Sequence, residues 1–131
     1  MATERARRLR TNHADGWWYY QDKEDAHPMK RFVVRYQTKP DRTDENRRLV
    51  EAVFAELRAK SPPGIRYAAL QLADGTFVHV VETENGANPL PDLAAFQSFQ
   101  SGIRDRCIVP PQPAEATIVG NYRMLGERQN R

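Results

Sequence analysis

The sequence has little that would support a disulfide, a metal centre or a membrane anchor. Its 131 residues include a single cysteine, Cys107, which excludes an intrachain disulfide and a cysteine-rich metal site. No apolar run approaches the roughly 18–20 residues of a membrane-spanning helix. None follows the N-terminal arginines, as a secretory signal would require. We therefore expect no metal, no membrane partner and a cytoplasmic location, the usual compartment of a chain without disulfides.

Signatures of common catalytic and nucleotide-binding sites are also missing. The chain has no glycine-rich phosphate loop, no paired-histidine zinc motif and no nucleophile elbow. The formal charge is +3, from 20 basic and 17 acidic side chains that are scattered along the chain. A nucleic-acid-binding protein usually gathers its basic residues into a stripe. We therefore expect no nucleic-acid partner.

The first 28 residues differ in pattern from the rest. They show neither a helix nor a strand period, and their one apolar feature is the aromatic run Trp17–Tyr20. Two interpretations stay open for residues 1–28: an N-terminal arm, either packed or disordered, and an extension upstream of a start at Met29. The remaining length suits one domain, which we place at residues 29–126 with a charged tail at 127–131.

The first half of this domain reads as strand, helix, strand, strand. Residues 32–37 are β-branched and aromatic, which favours a strand. Strands are also predicted at 65–72 and 76–82, joined by the hairpin turn signal Asp74-Gly75. Between the first two strands, apolar residues recur at three- and four-residue steps and predict a helix. This stripe consists of Leu49, Val50, Val53, Phe54 and Leu57.

The second half predicts one more helix and one more strand. The helix opens at Pro89–Asp92 and continues to Arg104 and Arg106, where cations are favoured near a C-terminus. Its apolar stripe consists of Leu93, Phe96, Phe99 and Ile103. The prolines at 110, 111 and 113 are predicted to end the helix. The last strand is then predicted at Ala116–Met124.

The predicted order of elements indicates an α+β fold of the ferredoxin-like βαββαβ type. Right-handed crossovers place both helices on one face of a four-stranded antiparallel sheet. The other face mixes apolar and polar residues and needs a cover. A second copy of the chain is the cover we expect, so the predicted partner is the protein itself, as a homodimer.

Three segments make the sequence similar to a known group of proteins: the strand FVVRYQ at 32–37, the hairpin DGTFVHVV at 74–81 and the helix DLAAFQSF at 92–99. Together they resemble the dimeric α+β-barrel superfamily, especially the small antibiotic-biosynthesis-monooxygenase-like proteins. The resemblance covers about residues 30–125. It implies that two sheets pack across a two-fold axis into a barrel. Members of the superfamily include cofactor-independent oxygenases, haem-dependent enzymes, isomerases and proteins of no known activity.

His79 is the one histidine inside the predicted domain and is the candidate catalytic residue. Its ordinary pKa allows it to act as a general base at neutral pH, and it could also be an axial haem ligand. The competing interpretation is a strand histidine that is bonded to a neighbour. We predict no cofactor, while haem stays an open alternative.

Four further residues are candidates for substrate binding. Tyr36, Tyr67 and Tyr122 lie on three predicted strands, and if they converge they could hold an aromatic ligand by stacking and hydroxyl bonding. Arg35 or Tyr36 could stabilise an oxyanion. Ordinary sheet packing is the alternative for the tyrosines, and surface pairing is the alternative for the arginine.

Two functions follow from these residues and the resemblance. The first is a dimeric α+β-barrel protein that acts as a cofactor-independent, monooxygenase-like enzyme on a small aromatic or polyketide-like molecule. The alternative is a non-catalytic homodimer that binds a small molecule or serves in stress. The interior discriminates between them, because a cavity with polar groups near His79 favours the enzyme.

Overall fold

Residues 29–84 and 87–124 are described by the structure, a computed structural model of the chain. The expectations for the arm at residues 1–28 and for the tail at 127–131 lie outside these ranges. Within them, strand, helix, strand and strand follow one another as predicted, and the differences come after residue 90.

The described residues form four strands and three helices. The strands are β1 (Met29–Thr38), β2 (Ile65–Gln71), β3 (Thr76–Glu84) and β4 (Cys107–Glu115), and the helices are α1 (Thr43–Lys60), α2 (Ala94–Gln100) and α3 (Ile103–Arg106). Single 3-10 turns at Pro40–Arg42 and Leu90–Asp92 precede α1 and α2. None of the helices in residues 29–84 and 87–124 has the length and apolar character needed to cross a membrane.

The strands form one antiparallel sheet in the order β2-β3-β1-β4. β1 and β2 run parallel with β3 inserted between them, because the crossover through α1 skips one position in the sheet. The predicted α+β, ferredoxin-like fold is therefore confirmed. β1 and β3 occupy the centre, so each pairs with a strand on both sides.

The core lies between the sheet and the helices. Val50 and Val53 of the α1 stripe are buried, and Leu49, Phe54 and Leu57 pack at its margin. The sheet and the second helical region contribute side chains exposed by 2 % or less: Phe32, Val34, Tyr36, Phe77, Val81, Phe96, Phe99 and Ile103. Burying each large apolar side chain contributes about 1.5–3 kcal/mol. Both predicted helical stripes therefore face the core.

The second helix differs from the prediction, which carried one helix through to Arg106. The chain breaks after Gln100, and Gly102 has a φ of +79°, a left-handed conformation that glycine adopts without strain. The four-residue α3 then turns Arg106 inward, where it is 2 % exposed. Its guanidinium is consequently part of the core and not a cation in solvent near a helix end.

The prediction of the last strand at Ala116–Met124 is wrong. The fourth strand is Cys107–Glu115, and it contains the prolines that were expected only to end a helix. An edge strand tolerates proline, because one side of its backbone has no partner strand and needs no N–H. Tyr122 consequently lies beyond the sheet with 79 % of its surface exposed.

The second face of the sheet carries no helix. Three rows of residues cross β1, β3 and β2 there: Arg31–Glu82–Arg66, Val33–Val80–Ala68 and Arg35–Val78–Leu70. The Nε atom of Arg31 lies 2.7 Å from Glu82 Oε2, and Arg66 lies 3.8 Å from the other oxygen. Beside these ion pairs the valines are half-buried and Leu70 is 57 % exposed. This face has the mixed composition that the sequence predicts.

Candidate functional site

His79 lies between two tyrosines on the helix side of the sheet. It stands opposite Val34 in β1 and Ala69 in β2, so Tyr36 and Tyr67 are its diagonal neighbours, two residues along on either side. The Tyr36 hydroxyl is 2.9 Å from His79 Nε2, and the Tyr67 hydroxyl is 2.7 Å from Nδ1. The imidazole is fully buried.

The hydrogen-bonded chain continues into the helices. Asn46 of α1 donates from Nδ2 to the Tyr36 hydroxyl at 2.9 Å, and its Oδ1 accepts from Arg106 Nε at 2.9 Å. Arg106 also donates to the carbonyl oxygens of Phe99 and Ser101, at 2.6 and 3.2 Å. These bonds matter because a buried polar group without a partner costs about 1–3 kcal/mol.

The partners of Tyr36 determine how we assign the protons. Its oxygen accepts from Asn46, which leaves its own proton to donate to His79 Nε2. His79 then carries its proton on Nδ1 and donates it to the Tyr67 oxygen. In this assignment each donor points the same way, from Arg106 through Tyr36 and His79 to Tyr67. Hydrogen bonds aligned in series polarise and strengthen one another.

Burial keeps three titratable side chains of this hydrogen-bonded series, His79, Tyr36 and Tyr67, in their neutral forms. Loss of solvation lowers the pKa of His79 from 6.5 to about 3. The same loss raises the pKa of Tyr36 and Tyr67 above their ordinary value of 10. A neutral imidazole donates one hydrogen bond and accepts one, which matches its two tyrosine partners. His79 therefore does not take up a proton at neutral pH in this arrangement.

A groove runs between α1 and the outer strand β2, beside the buried chain. It has two parts, of about 280 and 220 Å³, that both border on Phe54 and Arg58. Phe54 packs on Tyr67 with ring centroids 4.6 Å apart. Phe77 lines the larger part and Tyr67 lines the smaller part. Tyr67 thus belongs both to the wall of the groove and to the hydrogen-bonded chain of His79.

Two arginines at the rim of this groove differ in their ion-pair partners. Arg47 is held by Asp44 at 3.0 Å and lies 3.7 Å from Glu51. Arg58 borders both parts of the groove, and its guanidinium has no ion pair within the described residues. A guanidinium beside an aromatic wall can bind the carboxylate or phenolate of an aromatic ligand. Arg58 is therefore the cation of this groove that is best placed for an anion.

The structure brings together three of the five predicted site residues. Tyr36, Tyr67 and His79 converge on the helix side of the sheet, where the imidazole meets both hydroxyls. Arg35 lies on the opposite, helix-free face and is exposed, so it cannot act on a group held beside His79. Tyr122 does not join the other two tyrosines, because its segment is not a strand of the sheet. The catalytic and binding roles themselves stay predictions.

Two residues of the hydrogen-bonded series, Asn46 and Arg106, were not predicted from the sequence. Asn46 precedes Val50 by four residues and Val53 by seven, so a polar residue occupies a position of the apolar stripe of α1. That spacing was a usable signal of a buried hydrogen bond. Arg106 gave no comparable signal, because its inward direction depends on the helix break at Gly102.

The alternative role of His79 as a haem ligand does not fit the geometry. Both ring nitrogens are bonded to tyrosines and the ring is inaccessible to solvent, so neither nitrogen is available to iron. No group of three or more His, Cys, Asp or Glu residues that could hold a metal occurs in the described parts of the chain. The expectation that the protein needs no cofactor stays a prediction.

Comparison with solved structures places this fold among antibiotic-biosynthesis-monooxygenase-like proteins. A candidate antibiotic biosynthesis monooxygenase from Nitrosomonas europaea has 17 % identity and a TM-score of 0.59 over 72 % of this chain and 94 % of that one. Rv0793 from Mycobacterium tuberculosis has 16 % identity and a TM-score of 0.54, over 71 % and 97 %.

A third similar structure, a candidate monooxygenase of the same kind from Caulobacter crescentus, has 13 % identity and a TM-score of 0.55 over 72 % of this chain and 92 % of that one. No protein-family model and no curated protein matches the sequence. The chain thus has the ferredoxin-like fold of these proteins, as the sequence resemblance implied. Identities this low establish the fold and leave the reaction open.

Proposed function

We propose that this protein is a monooxygenase-like enzyme that binds a small aromatic, acidic molecule in the groove between α1 and β2. The observation that carries the proposal is the position of Tyr67. It lines the groove, and its hydroxyl accepts from His79 in the hydrogen-bonded series that runs from Arg106. Phe54 and Phe77 supply aromatic walls, and Arg58 supplies a cation for the acidic group of the ligand.

The reaction we propose is oxidation by molecular oxygen without a cofactor. An acidic ring CH₂ group loses a proton to water, the carbanion passes its electrons to O₂, and the resulting peroxide anion takes a proton from water to give a hydroperoxide. Loss of water then leaves a carbonyl, so that R₂CH₂ and O₂ give R₂C=O and H₂O. The Arg58 guanidinium at the groove would stabilise the negative charge on the substrate oxygen, and the hydrogen bond to His79 would hold the Tyr67 ring in the groove wall. His79 acts through Tyr67 in this scheme, since the imidazole does not reach the groove.

Non-catalytic binding is the second candidate, and the burial of His79 favours it. The imidazole is fully buried, its pKa is about 3, and each of its nitrogens is bonded to a tyrosine. The same arrangement is typical of a histidine that only stabilises the core through hydrogen bonds. The two candidates predict different results with an anthrone as the probe. The enzyme consumes O₂ and yields the anthraquinone in step with the protein concentration, whereas the binder shifts the melting temperature without O₂ uptake.

The first prediction concerns Arg58. Replacement by glutamine is expected to weaken binding of a hydroxynaphthoate by roughly fivefold, because a charge-assisted contact at a partly exposed site contributes about 1 kcal/mol. Titration calorimetry measures the dissociation constant. Arg48→Gln is the matched control, since Arg48 is an exposed arginine of the same helix that does not line the groove. Equal affinities of the two variants would rule out Arg58 as the anion contact.

We also propose that two copies pair through the helix-free face of the sheet. The rows Val33–Val80–Ala68 and Arg35–Val78–Leu70 form an apolar strip with a flanking arginine, a composition that suits an interface. The 57 % exposure of Leu70 gives this strip a large side chain that pairing would remove from water.

The second prediction tests this pairing through Leu70. Leu70→Lys is expected to raise the dimer dissociation constant by at least tenfold, because two copies would each bury an ammonium group on the two-fold interface. Sedimentation velocity over a concentration series measures it. Ala55→Lys places the same charge at an exposed position of α1, on the other side of the sheet, and should leave the constant unchanged. A wild-type chain that stays monomeric near 100 µM (roughly the limit of a specific weak complex) contradicts the pairing.

A further inference from the structure

The groove between α1 and β2 carries charges of opposite sign, two turns of α1 apart. We propose that it binds aromatic acids with a hydrogen-bond donor, neutral or cationic, at the end opposite the acid, and that Glu51 makes this selection. Arg58 then binds the acid and Glu51 binds the donor, while aromatic diacids bind less tightly. The inference rests on the proposed function, because the ligand occupies the same groove, and it adds the class of substrate.

One face of α1 carries both charges. Glu51, Phe54 and Arg58 follow one another at steps of three and four residues, which brings them to the same side of the helix. All three line the larger part of the groove. Glu51 and Arg58 are separated by a rise of about 10 Å along the helix axis, and Phe54 lies between them. An aromatic ligand that packs on Phe54 therefore has one end toward each charge.

A second cation, Arg47, lies at the Glu51 end of the groove, but two carboxylates offset it. Arg47 Nη2 donates to Asp44 Oδ1 at 3.0 Å, and Arg47 Nη1 lies 3.7 Å from Glu51 Oε2. One guanidinium and two carboxylates together carry a net charge of −1. This end of the groove thus attracts a donor or a cation and repels a second anion.

The Glu51 carboxylate keeps its acceptor sites for a ligand. Its distance of 3.7 Å from Arg47 exceeds the length of a hydrogen bond, and 64 % of the side chain is exposed. An ionised carboxylate accepts hydrogen bonds and donates none. Glu51 therefore pairs with the hydroxyl, amine or ammonium group of a ligand and not with a carboxylate.

The smaller part of the groove is chiefly apolar. Its aliphatic lining consists of Leu57, Pro62 and Ile65. The hydroxyl groups that border on it are engaged within the protein. That of Ser61 donates to the Arg58 carbonyl at 3.3 Å, and that of Tyr67 is bonded to the imidazole of the buried series. A ligand held at Arg58 accordingly places a second polar group toward Glu51, which fixes its orientation in the groove.

Three naphthoates that differ only at position 6 test the proposal by titration calorimetry. The probes are 2-naphthoates with a hydroxyl, a carboxylate or an aminomethyl group, so the far end of the ligand is neutral, negative or positive. The wild type is expected to bind the hydroxyl and aminomethyl probes at least about fivefold more tightly than the diacid, because two like charges roughly 4 Å apart in water change an affinity by this factor.

Glu51→Gln isolates the charge, because glutamine has the same shape and still accepts a hydrogen bond. The variant is expected to bind the diacid about fivefold more tightly and the aminomethyl probe about fivefold more weakly, and to change the affinity for the hydroxyl probe by less than about twofold. Glu45→Gln is the matched control. Glu45 is an exposed carboxylate of the same helix that pairs with Arg42 and does not line the groove, so this variant should keep the wild-type affinities.

The possible outcomes separate this inference from the proposed function. Opposite shifts of the diacid and the aminomethyl probe in Glu51→Gln, without such shifts in Glu45→Gln, support the selection by Glu51. Unchanged affinities of Glu51→Gln for all three probes overturn it and leave the acid-binding groove at Arg58 standing, and so does a wild type that prefers the diacid. A wild type that binds none of the three probes refutes both.

Discussion

Val53→Asp is expected to abolish the cooperative unfolding transition of this protein. Val53 lies in the middle of α1, is 0 % exposed and belongs to the core between the helix and the sheet. An unpaired carboxylate there costs several kcal/mol, and loss of the valine side chain adds to that cost. A domain of this size is stable by about 5–15 kcal/mol. Circular dichroism during heating is the measurement, and a flat melting curve is the expected result.

Ala52→Asp is the matched control for this variant. Ala52 is the preceding residue of the same helix and is exposed, so its carboxylate stays hydrated. Aspartate costs a few tenths of a kcal/mol in helix propensity relative to alanine. The control should therefore melt within a few degrees of the unmodified chain. A Val53→Asp chain that melts with the control would show that α1 presents a different face to the sheet.

The first helix could be predicted from the sequence because its signals are local. Apolar residues at three- and four-residue steps identify the buried face of a helix whatever it packs against, and Val50 and Val53 of α1 are buried accordingly. The strands β1 and β3 follow from the same kind of reasoning. Their alternation separated Phe32, Val34 and Tyr36 from the other face, and these three are buried together with Thr38.

The last strand could not be predicted in this way because its signal depends on position in the sheet. The prolines of β4 argue against a central strand, and the sequence does not show which strand lies at an edge. Segment 116–124 has the better strand composition but no partner in the described part of its own chain. The strand was therefore predicted at 116–124, which has the stronger strand preference. The sheet order instead gives β4 a neighbouring strand, β1.

Only part of the candidate site could be predicted, because alternation within a strand is a local signal and pairing between strands is not. The alternation of β3 placed His79 on a face with Phe77 and Val81, which the structure bears out. The direction of that face toward the helices, and the contact with Tyr67 across β2, depend on register. Register is fixed by pairing between strands and cannot be derived from one strand alone.

The stability of the protein is expected to fall steeply in mild acid because of His79. The pKa of an unfolded histidine is about 6.5, and burial lowers that of His79 to about 3 in the folded chain. Between these values the unfolded state binds one more proton than the folded state. The free energy of unfolding therefore decreases as the pH falls through this window, by up to about 1.4 kcal/mol per pH unit. The contribution of the neutral His79 side chain to the free energy of unfolding is complete above pH 6.5.

Replacement of His79 by glutamine isolates this contribution. At pH 7.5 the variant should lose about 1–3 kcal/mol, because glutamine cannot satisfy both tyrosine hydroxyls in the geometry of the imidazole. Between pH 6.5 and 5, above the range in which most carboxylates titrate, the free energy of unfolding of the variant should lose the decrease with falling pH that His79 causes. Urea unfolding at a series of pH values measures both quantities. His13→Gln and His27→Gln are the controls, and we expect both to keep the slope. Parallel stability curves for His79→Gln and the unmodified chain would mean that this imidazole is not held neutral between Tyr36 and Tyr67.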